Sequence, residues 1–153
     1  MEATDFKHIP NFSAGEAWGD IAKVQWYHVI HLAQIRERLR EYGYDWQMII
    51  HGSYATSGHA PQSFHYKGLA TDFRFHFKSG LPKYSLQFQY DTLQDILSVL
   101  NLSHFCGLGA YPDWQLPGFH LDSRGWRARW IRVRGGYVYD EKMFGDLLKG
   151  IEP

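Results

Sequence analysis

Side chains able to face a core recur at steps of three and four between residues 20 and 42. Ile21, Val24, His28, Leu32, Ile35 and Leu39 fall on one face at that spacing and predict a helix over 20–42. Asp20 stands where an N-cap belongs and Gly43 where a helix stops. A second such face, Leu93, Ile96, Leu97 and Leu100, predicts a helix over 91–100, with Asp91 or Thr92 as its cap. Elsewhere the pattern is that of strands. Trp46 to His51 reads as a short buried strand, and the aromatic-rich run from Leu69 to Phe77 as another. Further strands are predicted over 104–111, 119–123 and 126–133. Gly135-Gly136 makes a hairpin turn into Tyr137-Val138-Tyr139, and Asp140 caps a last helix reaching about Lys149. Loops fall at 52–62 and 112–118, with a turn at 79–82. Residues 1–19 form an irregular lead-in in which Ser13 and Glu16 have capping-box spacing. Helices interleaved with antiparallel strands predict an α+β fold.

The chain has 153 residues, the size of one domain, so a single domain spanning 1–153 is expected, with a core that needs no disulfide. Sixteen basic residues balance sixteen acidic ones, which removes any global attraction to nucleic acid or to an anionic membrane. Arg124, Arg127, Arg129, Arg132 and Arg134 do alternate with Trp126 and Trp130, a mixture that can bind nucleic acid. With zero net charge this run reads better as an amphipathic strand with a solvated face, and no nucleic-acid partner is expected. The single cysteine, Cys106, excludes an intramolecular disulfide, a cysteine-rich zinc site and an iron–sulfur cluster, and reads as a small buried hydrophobe. The first residues lack a basic region followed by an apolar core, and no apolar run reaches the length of a membrane span. Synthesis in the cytoplasm and no membrane span are therefore expected.

The chemistry centres on Ser63-Phe64-His65-Tyr66-Lys67-Gly68-Leu69-Ala70-Thr71-Asp72. Gly68 is a poor helix residue, which puts His65 in a loop and Asp72 on the strand that follows. An imidazole and a carboxylate supply two of the three protein ligands of a catalytic zinc site. His120 is the best third ligand. It lies two residues before Asp122 in a short strand, so both side chains share a face, and Asp122 is close enough to orient a ligand or to take a proton. His28 and His31 have helical spacing, but no further ligand follows on their face, so packing or solvent is the better reading. His59, in a loop, and His76, far along its strand, are discounted as ligands.

These segments resemble the D-alanyl-D-alanine carboxypeptidase-like zinc metallopeptidases, which share a fold with the Hedgehog signalling domain. Ser63-x-His65-x-x-Gly68-x-Ala70-x-Asp72 is similar to the family's first zinc motif. Gly107 to Pro112, Gly118 to Gly125 and Arg127 to Trp130 are similar to the second motif in a branch of small phage lysins and bacterial cell-wall endopeptidases; with Asn11-Phe12-Ser13 and Glu16, the likeness runs from about residue 11 to residue 130. It implies an antiparallel sheet with flanking helices around one zinc ion held by His65, Asp72 and His120. It also implies hydrolysis of a peptide bond in peptidoglycan stem peptides or cross-links, with a carboxylate as base, by a protein that acts on the cell wall and is phage-encoded or virion-associated. A monomer is expected.

Two departures shape the expectation. Many relatives carry a glutamate three residues before the second zinc histidine; this chain has Pro117 there, so Asp122 is expected to act as the catalytic residue, with Asp113 as a weaker alternative. Carboxypeptidase relatives often carry an arginine before the first motif, and Gly52-Ser53-Tyr54-Ala55-Thr56 has none, which favours an endopeptidase over terminal carboxypeptidase action. Tyr111, Arg124 and Ser63 are taken as substrate-side residues. Tyr111 either donates to the oxyanion or packs as a strand-end aromatic, and Ser63 also has the loop backbone within reach. Trp114 is expected to line the cleft. The alternative is a non-catalytic module of the same fold that keeps the metal and binds peptidoglycan or serves in a virion.

Overall fold

Alternation along β2 (Ala70–Phe77) divides the molecule into a core side and a site side. The computed structural model describes residues 1–78 and 83–151, so the turn expected at 79–82 lies outside the described residues. Phe73 and Phe75 of β2 are buried in the core with Phe119 and Leu121 of β4 (Gly118–Asp122), Leu108 and Ala110 of β3 (Gly107–Tyr111), and Ile131 of β5 (Ala128–Val133). The helices α1 (Trp26–Glu41), α2 (Leu86–Val99) and α3 (Phe144–Leu148) contribute Leu32, Ile35, Leu93, Ile96, Leu97 and Leu148 to the same core. Asp72, half-buried between Phe73 and Thr71, faces the other way.

With β1 (Trp46–Gly52) and β6 (Gly136–Val138), the strands form one sheet in the order β1-β2-β4-β3-β5-β6. The α+β class is as expected, but the sheet is mixed where an antiparallel one was expected. β3 and β5 run parallel, pairing Gly109 with Trp130 and Ala110 with Ile131. The reason is edge availability. β4 is already bonded on both sides, by β2 and β3, so β5 extends the sheet at the free edge of β3. Among the described residues no helix is long and apolar enough to cross a membrane.

Three helices differ from expectation. The first helix begins at Trp26, after a separate 3-10 turn over Ile21–Lys23 that Asp20 caps by accepting from Ala22 N at 3.1 Å. Residues 24–25 break the helix so that Gln25 N can donate to Gly68 O at 2.9 Å. That contact holds the His65 turn against the start of α1. It requires glycine at 68, where φ is +65° and a β-carbon would lie 2.0 Å from Lys23 O. The second helix starts at Leu86 with Ser85 as cap, five residues before the predicted start. Starting there buries Leu86 and Tyr90, worth about 1.5–3 kcal/mol for each such side chain. The last helix is shorter than expected: Asp140 caps a 3-10 turn over Glu141–Met143, and α3 ends at Leu148.

Gly109 is where the sheet is most tightly specified, because a β-carbon there would lie 2.3 Å from the Trp130 indole. Gly109→Ala is expected to cost about 1–3 kcal/mol by overpacking, seen as a melting temperature lower by roughly 3–10 °C. An unchanged melting temperature would show that the indole is not held over Gly109.

Candidate metal centre

Strand register lines the site residues up in rows across the sheet. Asp72 of β2 pairs with His120 of β4, His120 with Gly109 of β3, and Gly109 with Trp130 of β5. In the next row Asp122 lies between Ala70 and Gly107. Small residues beside Asp122 give it room: a β-carbon at Gly107 would meet the Asp122 oxygens at 2.7 and 2.8 Å. His65 reaches this row from outside the sheet, on a 3-10 turn over Phe64–Lys67. Ser63 caps that turn, its Oγ accepting from His65 N at 3.3 Å. Ser63 is thus occupied with the loop backbone while still lining the cleft.

Three donor atoms converge. His120 Nδ1 lies 2.8 Å from Asp72 Oδ1, His65 Nε2 lies 3.2 Å from the same oxygen, and the two nitrogens are 3.2 Å apart. Tetrahedral ligands bound at about 2.0–2.1 Å stand about 3.3 Å from one another, so this triangle has the size a zinc ion needs. Both imidazoles are anchored through their outer nitrogens, which turns the inner ones toward Asp72 and would let each present a lone pair to a metal. His65 Nδ1–H donates to Ser53 O at 2.5 Å, and His120 Nε2–H donates to Asp122 Oδ2 at 3.0 Å. A carboxylate oxygen and two lone pairs facing each other repel unless a cation lies between them. The titration of His120 reflects this. Burial pushes its pKa down, but the carboxylates of Asp122 and Asp72 outweigh burial and hold it at about 9. Burial likewise works to raise Asp72 and is outweighed by hydrogen bonds from His120 and His65, which hold its carboxyl well below the usual range.

Asp122 is fully enclosed. Arg124 donates to both of its oxygens, Nε to Oδ1 and Nη2 to Oδ2, each at 2.6 Å, and the carboxylate side chain has no exposed surface. This geometry orients His120 and engages both Asp122 oxygens, so that the carboxylate expected to be catalytic serves in this arrangement to hold His120. Arg124, expected on the substrate side, lines the cleft but is engaged within the protein. Its guanidinium is committed to Asp122 and ringed by Phe64, Trp130 and Trp126, whose centroids lie 4.9, 5.0 and 5.8 Å from Cζ. Asp113, the weaker alternative base, caps the turn after β5 by accepting from Gly135 N at 3.2 Å.

His59, discounted from sequence, belongs to the site. Its ring stacks on His65 with centroids 4.0 Å apart, and its backbone is tied at both ends to the Tyr66 hydroxyl. His59, His65 and Asp72 could together hold a metal ion, since one donor atom from each lies within 4.8 Å of the others. Partial burial, then the neighbouring His65, push the His59 pKa below its ordinary value. The signal for His59 was the loop of small residues around it, which lets the chain fold back onto His65.

The site lies in a cleft of about 640 Å³ whose walls include Tyr111, Trp114, Trp130 and Tyr137. Tyr111 stacks on Trp114 at 4.3 Å and accepts from Trp130 Nε1 at 3.0 Å; burial raises its pKa, so the phenol keeps its proton. His76 lines a different depression beside Arg74 and Leu116. Beneath the sheet runs a buried chain of polar groups. His31 Nδ1 and His28 Nδ1 each lie 2.8 Å from Ser123 Oγ. His28 Nε2 contacts Thr71 Oγ1 at 2.9 Å, and Thr71 donates to Ser53 Oγ at 3.1 Å. Burial holds the His28 pKa down at about 3, so the ring is neutral.

Compared with known proteins, the chain matches no family model, no curated protein and no solved structure.

The metal-free site therefore carries a proton on His120 that a metal must displace. Because the folded pKa is raised from 6.5 to about 9, the stabilisation is fully present below the lower value and is lost as pH rises through the upper one. Zinc affinity should rise about tenfold per pH unit between roughly 7 and 9. Calorimetry in buffers of different ionisation enthalpy should register about one proton released at pH 7. Zinc binding at pH 7 without proton release would show that His120 is neutral there.

Proposed function

We propose that the chain is a zinc-dependent peptidase with the Hedgehog/DD-peptidase fold, cleaving peptide bonds in peptidoglycan stem peptides or cross-links. The observation that carries this reading is the convergence of His65 Nε2, Asp72 Oδ1 and His120 Nδ1 within 3.2 Å of one another inside an aromatic-walled cleft. Those three residues would hold the ion, and bound zinc supplies Lewis-acid activation of water and of a peptide carbonyl. The chain's own residues bind, orient and move protons. Asp122, fixed by Arg124, keeps His120 turned toward Asp72. His59, exposed on one side and with its pKa pushed down by partial burial and the neighbouring His65, is the proton acceptor beside the ligands. Tyr111, whose oxygen already accepts from Trp130, presents its O–H to the cleft as the donor for a developing oxyanion. The site of action is the cell wall.

One observation favours a second reading, a non-catalytic metal-holding module that binds peptidoglycan. The only carboxylates lining the cleft among the described residues are Asp72 and Asp122, and neither is open to serve as a base.

Digestion of purified peptidoglycan by the zinc-loaded protein, read by mass spectrometry, separates the two. New amino and carboxyl termini are expected from the peptidase; none, with zinc bound, leaves the module. His65→Ala should abolish zinc binding. Asp122→Asn should weaken zinc binding about 10- to 100-fold through the loosened His120. His59→Ala should keep zinc and lower turnover about 10²- to 10⁴-fold. Loss of zinc in that variant would make His59 a ligand instead.

A further inference from the structure

Of the five arginines in the run from 124 to 134, Arg132 alone brings an uncommitted charge to the cleft. Arg124 is locked onto Asp122. Arg127 pairs with Glu141 through both terminal nitrogens, with Nη2 to Oε2 at 2.6 Å. Arg129 is buried, donating to Cys106 O at 2.7 Å and Ala128 O at 2.8 Å. Arg134 sits in the turn after β5 with φ +50° and is not part of the cleft wall. Arg132 does line the cleft. Its nearest carboxylate among the described residues is Asp113 at 4.0 Å, the outer limit of an ion pair, and its side chain is 34% exposed. Asp113 is itself engaged by Gly135 N.

Strand geometry points Arg132 toward the metal side. Trp130 and Arg132 are two residues apart on β5 and share a face. The Trp130 ring is 5.3 Å from that of His120. Arg132 follows about 7 Å further along the strand, and its partner across the β5–β6 pair is Tyr137. Tyr137 stacks loosely on Tyr139, with centroids 6.4 Å apart, and both rings are largely exposed. A guanidinium beside two open aromatic faces suits a carboxylate carried on a peptide.

We propose that Arg132 is the carboxylate anchor of the cleft, selecting peptides that carry a free carboxylate. The assignment rests on reading the cleft as a peptide-binding site. The carboxylate belongs either to the peptide's C-terminus or to an acidic residue within it.

The test uses synthetic stem tetrapeptides in three forms: both carboxylates free, the C-terminus amidated, and the internal acidic residue amidated. Binding to the metal-free protein is measured by calorimetry, and cleavage by the zinc-loaded protein is measured separately. Arg132→Gln should weaken binding of the free acid about 10- to 100-fold and raise KM with little change in kcat. The amidated form that already lacks this dependence names the carboxylate. Arg132→Lys should keep part of the affinity, and an unchanged melting temperature in both variants excludes misfolding. Equal weakening of all three forms, no weakening of any, or no binding of the free acid to the wild type would overturn the proposal. Arg132-dependent binding without cleavage would leave the anchor standing and reject the peptidase. Cleavage with an unchanged KM in Arg132→Gln would do the reverse.

Discussion

Three electron-rich atoms held face to face at the middle of a sheet repel one another unless a cation sits among them. His65 Nε2, Asp72 Oδ1 and His120 Nδ1 are so placed, and much of the surrounding structure serves to hold them there. Each inward lone pair is maintained by an outward hydrogen bond, from His65 to Ser53 O and from His120 to Asp122. Ser53 is itself fixed by donating to Ala70 O and accepting from Thr71. That chain continues through His28 to Ser123 and α1, so the ligand set is braced from the core side as well as from the sheet. A buried network of this kind is favourable only when every member is satisfied, and here each hydroxyl and imidazole nitrogen has a partner.

A metal held by these three atoms would compete with a proton for the same place. Without metal, the two carboxylates keep His120 protonated to well above neutrality, and that charge stabilises the site. Asp122 carries a second charge into the interior, where an unpaired carboxylate would be costly. Arg124 cancels it, and the rings of Phe64 and Trp130 shield the pair from water. The arginine that from sequence looked ready for substrate is thus spent on an internal charge, and Arg132, further along the neighbouring strand, faces the cleft in its place.

Much of the site was legible because period-two alternation is a local rule. It put His120 and Asp122 on one face and Asp72 on a strand, as found. What escaped depends on partners distant in sequence. The burial of Asp122 follows from the absence of a side chain at Gly107 and the small one at Ala70 on the flanking strands, which nothing near residue 122 announces. The parallel β3–β5 pair depends on which sheet edge remains free. His59 reaches His65 by the folding back of a loop whose small residues leave no periodic trace. The early start of α2 was hidden because Phe88, largely exposed, blurs the pattern in its first turn while Leu86 and Tyr90 make the burial. The broken first helix was hidden because Gln25 is committed to a carbonyl more than forty residues away.

The cross-sheet row from Asp72 through His120 and Gly109 to Trp130 joins four strands drawn from separate stretches of the chain. Its Asp72–His120 pairing closes a long loop, with a sequence separation of 48, and His65, which joins from outside the sheet, is 55 positions from His120. Loop closure of that length is slow relative to local helix formation. The three donor atoms therefore come together only once β2, β3, β4 and β5 have registered, and a chain with helices but an incomplete sheet has no site. Capture of a metal would then report the completion of folding and not any intermediate stage.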